Sequence, residues 1–137
     1  MPSLTTSYFA IGKNSEGFKI SIARYNHPRI VRNMDQILTG FAPSSELLSS
    51  YKNEKIGWQV YSEFYLKEQR EHFRSTSEDF INLLGVATLE DVILFCYERF
   101  EGKNTKCHRL LLFDILKKVA SKEQIKVDFV DETYRVR

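Results

Sequence analysis

Two short stretches hold the residues best suited to chemistry. Cys96-Tyr97-Glu98 closes an apolar run, and Cys107-His108-Arg109 opens a later segment. A thiol becomes a nucleophile once deprotonated, and a helix N-terminus or a neighbouring cation lowers its pKa. An imidazole near neutral pH can take or give a proton. A guanidinium can grip an oxyanion with two parallel hydrogen bonds. A carboxylate can orient the imidazole or pair with the guanidinium. Cys107, His108 and Glu98 are therefore the candidate catalytic groups, and Arg109 and Cys96 candidate ligand-binding groups. Cys107 is the better thiolate, because Cys96 lies inside an apolar run, where a cysteine is more often packed and inert.

The elements around these stretches must bring them together. Asp91 to Glu98 is a continuous apolar run with β-branched residues, the pattern of a buried central strand. Leu110 to Lys122 is amphipathic, with Lys117, Lys118 and Lys122 near the end that favours cations. Ile125 to Val130 alternates as a final strand. Strand, loop, helix and strand predict a parallel βαβ unit within one α/β or α+β domain, a small mixed sheet with helices packed on it. In such a unit the strand's carboxyl end and the helix start face one crevice. Amides at that helix start attract phosphate or carboxylate. Neighbouring helical residues point about 100° apart, so Cys107, His108 and Arg109 share one spot only if the helix begins after Cys107.

Upstream, Ser7 to Ile11 and Phe18 to Tyr25 read as strands joined through a glycine-rich turn, which suggests a hairpin. Asn26 to Gly40 reads as a short helix or an irregular excursion. Ser44 or Ser45 can cap a helix from Glu46 to Asn53. Trp58 to Phe73 is the clearest long helix, with Trp58, Tyr61 and Tyr65 on one face. Aromatics at this spacing are more often core than a stacking platform; Tyr61 and Tyr65 are also candidate ligand-binding residues. Ser75 and Glu78 fit a capping box for a helix that Gly85 is placed to end. His72 reads as a surface residue. Arg24, His27, Arg29 and Arg32 form a basic group that reads as a solvated loop, except that strand alternation turns Arg24 toward a site.

Twenty basic residues against eighteen acidic ones leave a formal charge of +2 in 137 residues, with a pI near 8.5. That permits an anionic partner without requiring one. At 42% hydrophobic and 28% charged, the composition excludes a disordered chain and supports one domain. The N-terminus lacks a signal-peptide pattern, and the longest apolar run, Val92 to Tyr97, is far too short to span a bilayer. The expectation is a cytoplasmic protein without a membrane partner, its two cysteines reduced; a disulfide between Cys96 and Cys107 requires an oxidising compartment. The spacing C-x10-C-H matches no common zinc pattern, so no metal or other cofactor is expected. Gly102-Lys103-Asn104-Thr105 lacks the earlier glycine of a phosphate loop. Dinucleotide-binding, nucleophile-elbow and zinc-protease signatures are absent.

The chain resembles the domain-of-unknown-function 488 family. The likeness lies in Ser21-Ile22-Ala23-Arg24, Phe41-Ala42-Pro43-Ser44, Leu47-Leu48 and Tyr51-Lys52. It continues in Trp58, Tyr61 and Tyr65, and is most specific in Cys96-Tyr97-Glu98 with Cys107-His108-Arg109. The resemblance implies a compact α/β domain of bacteria and their phages. It also directs Arg24 toward the site as a ligand-binding residue, and implies no established reaction. Three functions fit these residues. One is an enzyme acting on a phosphate-bearing ligand, a nucleotide or nucleic acid. Another is a non-catalytic module binding the same ligands. The last is a structural thiol or metal site with partners elsewhere.

Overall fold

The computed structural model describes residues 2–9, 16–97 and 107–131. Five strands form one sheet: β1 (Ser3–Tyr8), β2 (Phe18–Ser21), β3 (Gln36–Ile37), β4 (Val92–Cys96) and β5 (Asp128–Phe129). The helices are α1 (Pro28–Val31), α2 (Ser45–Lys52), α3 (Trp58–Ser75), α4 (Ser77–Leu89) and α5 (His108–Glu123). Strand order is β3-β2-β4-β1-β5, and every pairing is parallel. The α/β expectation holds, with a wholly parallel sheet among the described strands in place of a mixed one. Among the described residues no helix is long and apolar enough to cross a membrane.

Strand β4 takes the centre because all five of its side chains are buried. A strand apolar on both faces needs layers above and below and strands on both sides. Its register places Tyr8 of β1 opposite Cys96 and Ser21 of β2 opposite Phe95. The expected hairpin is not formed. β1 and β2 lie on opposite sides of β4 and run the same way, which no tight turn can achieve. Period-two alternation reveals strands but not partners. Gly17, at φ +134°, brings β2 to the start of β4, where the Phe18 amide donates to the Asp91 carbonyl at 2.7 Å. The C-terminal strand–helix–strand unit is parallel as expected, but it crosses over β1, which sits between β4 and β5.

The helical layer follows the sequence pattern more closely. Ser44 caps α2: its hydroxyl accepts from the Leu47 amide at 3.2 Å and donates to the Glu68 carboxylate at 2.5 Å. Helix α3 buries Tyr61, Tyr65 and Gln69, spaced by four. Helix α4 departs from expectation at both ends. It runs through Gly85 to Leu89, because buried Leu83, Leu84 and Ala87 reward continuation beyond glycine's cost of about 1 kcal/mol. The Ser75–Glu78 capping box is absent; Thr76 is the cap residue, without a side-chain bond. Nor is His72 a free surface group. It is half-buried, with Nε2 at 2.7 Å from Asp79 and Nδ1 at 3.1 Å from Gln69, which in turn donates to the Gly40 carbonyl. These bonds tie the α3–α4 corner to the segment after β3.

Leu94 lies fully buried at the middle of the central strand. Leu94→Ala is expected to lower stability by about 2–5 kcal/mol, read as a lower urea midpoint.

Candidate active site at the carboxyl edge of the sheet

The chain leaves the adjacent strands β2 and β4 in opposite directions, toward β3 and toward β5. Connections that diverge in this way leave a crevice at the strands' carboxyl ends. Ala23, Arg24 and Tyr25 follow β2 into it, Cys96 and Tyr97 end β4, and Cys107 and His108 begin α5. Tyr51 and Lys52 of α2 and Tyr61 of α3 complete the wall. The cavity measures about 50 Å³.

Helix α5 starts at His108, so Cys107 is its N-cap, with extended dihedrals of φ −115° and ψ 148°. The condition for Cys107 and His108 to converge is thereby met. The two sulfurs of Cys96 and Cys107 are joined as a disulfide, with Cα atoms 7.3 Å apart. The expectation of two separate thiols is replaced by a bonded pair, because the end of β4 meets the start of α5. His108 Nδ1 lies 3.4 Å from Cys107 Sγ, and its Nε2 lies 2.7 Å from the Ile22 carbonyl oxygen. A carbonyl only accepts, so Nε2 carries the proton and Nδ1 presents its lone pair to the sulfur. The Ile22 amide donates to the Phe95 carbonyl at 2.9 Å, which holds the orienting group rigidly on β4.

Burial pulls the His108 pKa down to about 4, and the charges of Arg109 and Arg24 push the same way against the Ile22 hydrogen bond. The ring is therefore neutral at pH 7 and presents Nδ1 as an acceptor. Tyr65 stands behind it, ring centroids 5.5 Å apart. The Tyr65 hydroxyl donates to the Phe41 carbonyl at 2.7 Å. Burial raises its pKa well above the usual phenol value, helped by Tyr61 and by the Glu68 carboxylate.

The remaining candidates divide between wall and support. Arg24 lines the crevice, its Nε donating to the Pro43 carbonyl at 2.9 Å. Asn26 braces this bend through Ser21 and through the Ala23 carbonyl. Tyr61 lines the cavity within a stack that includes Tyr51, Trp58 and Tyr65. Arg109 does not reach the cavity. It is fully buried, with Nη1 donating to Cys96 Sγ at 3.2 Å and the guanidinium 5.5 Å from the Tyr8 ring centre. Glu98 lies outside the described residues. His27, Arg29 and Arg32 are exposed, but on the short helix α1 and its two caps instead of a loop. Sequence reasoning missed Lys52 and the Ile22 carbonyl. Lys52 had a signal in the Tyr51-Lys52 pair, whereas a main-chain oxygen has no signature in residue type.

Cys96, Cys107 and His108 offer three donor atoms within 4.8 Å of one another. Once reduced, such a set could hold a soft metal such as zinc, with Ile22 fixing the imidazole from behind. Among the described residues, however, the charged groups lining the crevice are Arg24 and Lys52, with no carboxylate. Positive surroundings favour a thiolate or an anionic ligand over a cation.

Fold and crevice together define a parallel α/β domain with a disulfide beside a buried imidazole at its switch point. The chain matches the DUF488-N3a family model, described as the active DUF488-N3 subclade, over residues 4–120, and belongs to the DUF488 family. Neither the curated proteins nor the solved structures yielded a match.

The His108 environment sets a pH dependence. Its folded pKa, about 4, lies below the ordinary 6.5 of the unfolded chain, so the unfolded state binds the extra proton first. The stability due to this group is complete above pH 6.5 and is lost as pH falls through 6.5 toward 4, about 3 kcal/mol in all. Urea denaturation at pH 7, 5.5 and 4 should show this fall in the native protein. His108→Gln should lack that component of the slope.

Proposed function

We propose that the crevice is an active site for a phosphate-bearing, nucleotide-like ligand, with Cys107 as nucleophile once its sulfur is free and His108 as its base. One observation carries this reading: a single cavity collects the sulfur, the neutral imidazole and two cationic side chains at the start of α5. His108 Nδ1 faces the sulfur while Ile22 holds the opposite nitrogen. That is the nucleophile, base and orienter relation of covalent catalysis. The bond from Arg24 Nε to Pro43 fixes the guanidinium plane and directs its remaining donors to phosphate oxygens. Lys52 adds a second charge from α2.

Tyr25 and Tyr97 are exposed at the mouth and offer faces on which a base can stack. A cavity of about 50 Å³ admits only the reacting group, with the rest of the ligand outside. In this reading Arg109 acts on the Cys96 sulfur and Tyr65 supports the imidazole, while Tyr61 contacts ligand from the wall. Glu98, outside the described residues, keeps only the candidate role its sequence position suggests.

Calorimetric titration of the reduced protein with nucleoside 5′-monophosphates, with inorganic phosphate as the minimal probe, tests the reading. Arg24→Ala should weaken binding about 10- to 100-fold, the loss expected for charged hydrogen bonds of roughly 1.5–3 kcal/mol. Arg29→Ala, on the exposed helix α1, should bind as the native protein does. Equal losses in the two variants, or no binding at low salt, would remove the phosphate ligand from the proposal.

A further inference from the structure

The reading above requires a free sulfur at Cys107, and the structure holds that sulfur in a bond to Cys96. Resting on that reading, we propose that Cys96 and Cys107 form a reversible dithiol–disulfide couple that turns the crevice off when a small hydroperoxide oxidises it. Reduction by an external dithiol turns it on again.

The two sulfurs are unlike, and their surroundings assign them different parts. Cys107 occupies the N-cap of a 16-residue helix, with an imidazole lone pair 3.4 Å from its sulfur. The helix field favours its thiolate and the imidazole lone pair can take its proton in passing, which makes it the attacking group. Cys96 ends the central strand and receives the Arg109 Nη1 hydrogen bond at 3.2 Å. A guanidinium there stabilises the second thiolate, which makes Cys96 the resolving group. Cα atoms 7.3 Å apart stand just beyond the usual range for cystine, about 4.4–6.8 Å. Making and breaking the bond therefore moves the backbone at the end of β4 or at the Cys107 N-cap. Access selects the oxidant. Both cysteines are buried, and the cavity on which they open measures about 50 Å³, room for a few water-sized molecules, so the oxidant is small and the reductant is a small dithiol that reaches the bond through one extended arm.

The chemistry balances. Cys107 gives its proton to His108 Nδ1 and the thiolate attacks a peroxide oxygen. The S–O bond forms as the O–O bond breaks, and the departing alkoxide takes the proton from His108. The product is a sulfenic acid at Cys107, its sulfur oxidised by two electrons and the peroxide reduced by two. The Cys96 thiolate then attacks that sulfur. The S–S bond forms, the S–O bond breaks, and hydroxide leaves as water with the proton Cys96 has given up. Two thiols and one hydroperoxide yield one disulfide, one alcohol and one water. Thiol–disulfide exchange with an external dithiol returns two electrons and two protons.

The test uses the full chain, reduced, desalted and treated with one equivalent of hydrogen peroxide. Titratable thiols should fall from two to none, peptide mapping should recover a Cys96–Cys107 link, and dithiothreitol should restore both thiols. In Cys96→Ser, dimedone should trap a sulfenic acid at Cys107, whereas Cys107→Ser should give no adduct under the same conditions. Should Cys96→Ser fail to fold, mapping of the native chain carries the decision. Thiols that survive peroxide, equal dimedone labelling of both variants, or one zinc per chain protecting both sulfurs would overturn the proposal. The two readings fail separately. A working thiol cycle without Arg24-dependent nucleotide binding leaves the switch and removes the phosphate ligand. Arg24-dependent binding with peroxide-resistant thiols does the reverse.

Discussion

One hydrogen bond organises this end of the molecule: His108 Nε2 to the Ile22 carbonyl, 2.7 Å long and 86 residues apart in sequence. It joins the exit of β2 to the entrance of α5. It also settles the tautomer, so the other nitrogen must face the Cys107 sulfur. Ile22 cannot yield, because its own amide is held by Phe95 on the central strand. A neutral imidazole with both nitrogens directed sits at little cost in a dry wall, whereas an imidazolium there is disfavoured and forms only in passing. The low basicity of the ring and its fixed aim thus have the same physical origin.

The second constraint is the fully apolar β4. Its need for neighbours on both sides separates β1 from β2 and makes the sheet parallel. Parallel strands end together, so the segments that follow β2 and β4 emerge side by side. Their divergence toward opposite sheet edges opens the gap that Arg24, Cys96 and Cys107 line. Chemistry sits at the edge of the sheet because the core forces the strands to point the same way.

Much of this was legible in the residues. The Ser44 cap, the aromatic face of α3 and the apolar run of β4 each follow from a local period or a capping hydroxyl. The meeting of Cys96 with Cys107 and His108 followed from reading strand, loop and helix as one crossover. Strand order was not legible, since alternation along Phe18 to Ser21 specifies a strand without naming its neighbour. The passage of α4 through Gly85 was hidden because buried leucines outweigh a local propensity. The corner held by His72, Gln69 and Asp79 depends on an approach of two segments that no spacing announces. Arg109 lies beneath Cys96 instead of in the opening, a distinction of depth that sequence alone does not carry.

The central place of β4 also bears on how the chain comes into being. Leu4 and Phe18 both sit opposite Val92, so β1 and β2 leave the ribosome without their central partner, and β2 has only the two-residue β3 beside it. The helices between β2 and β4 can coil as they emerge, but the sheet has to wait for its keystone. Closing the sheet therefore depends on contacts distant along the chain. A nascent chain halted before residue 92 would present the unpaired edges of β1 and β2 to its surroundings.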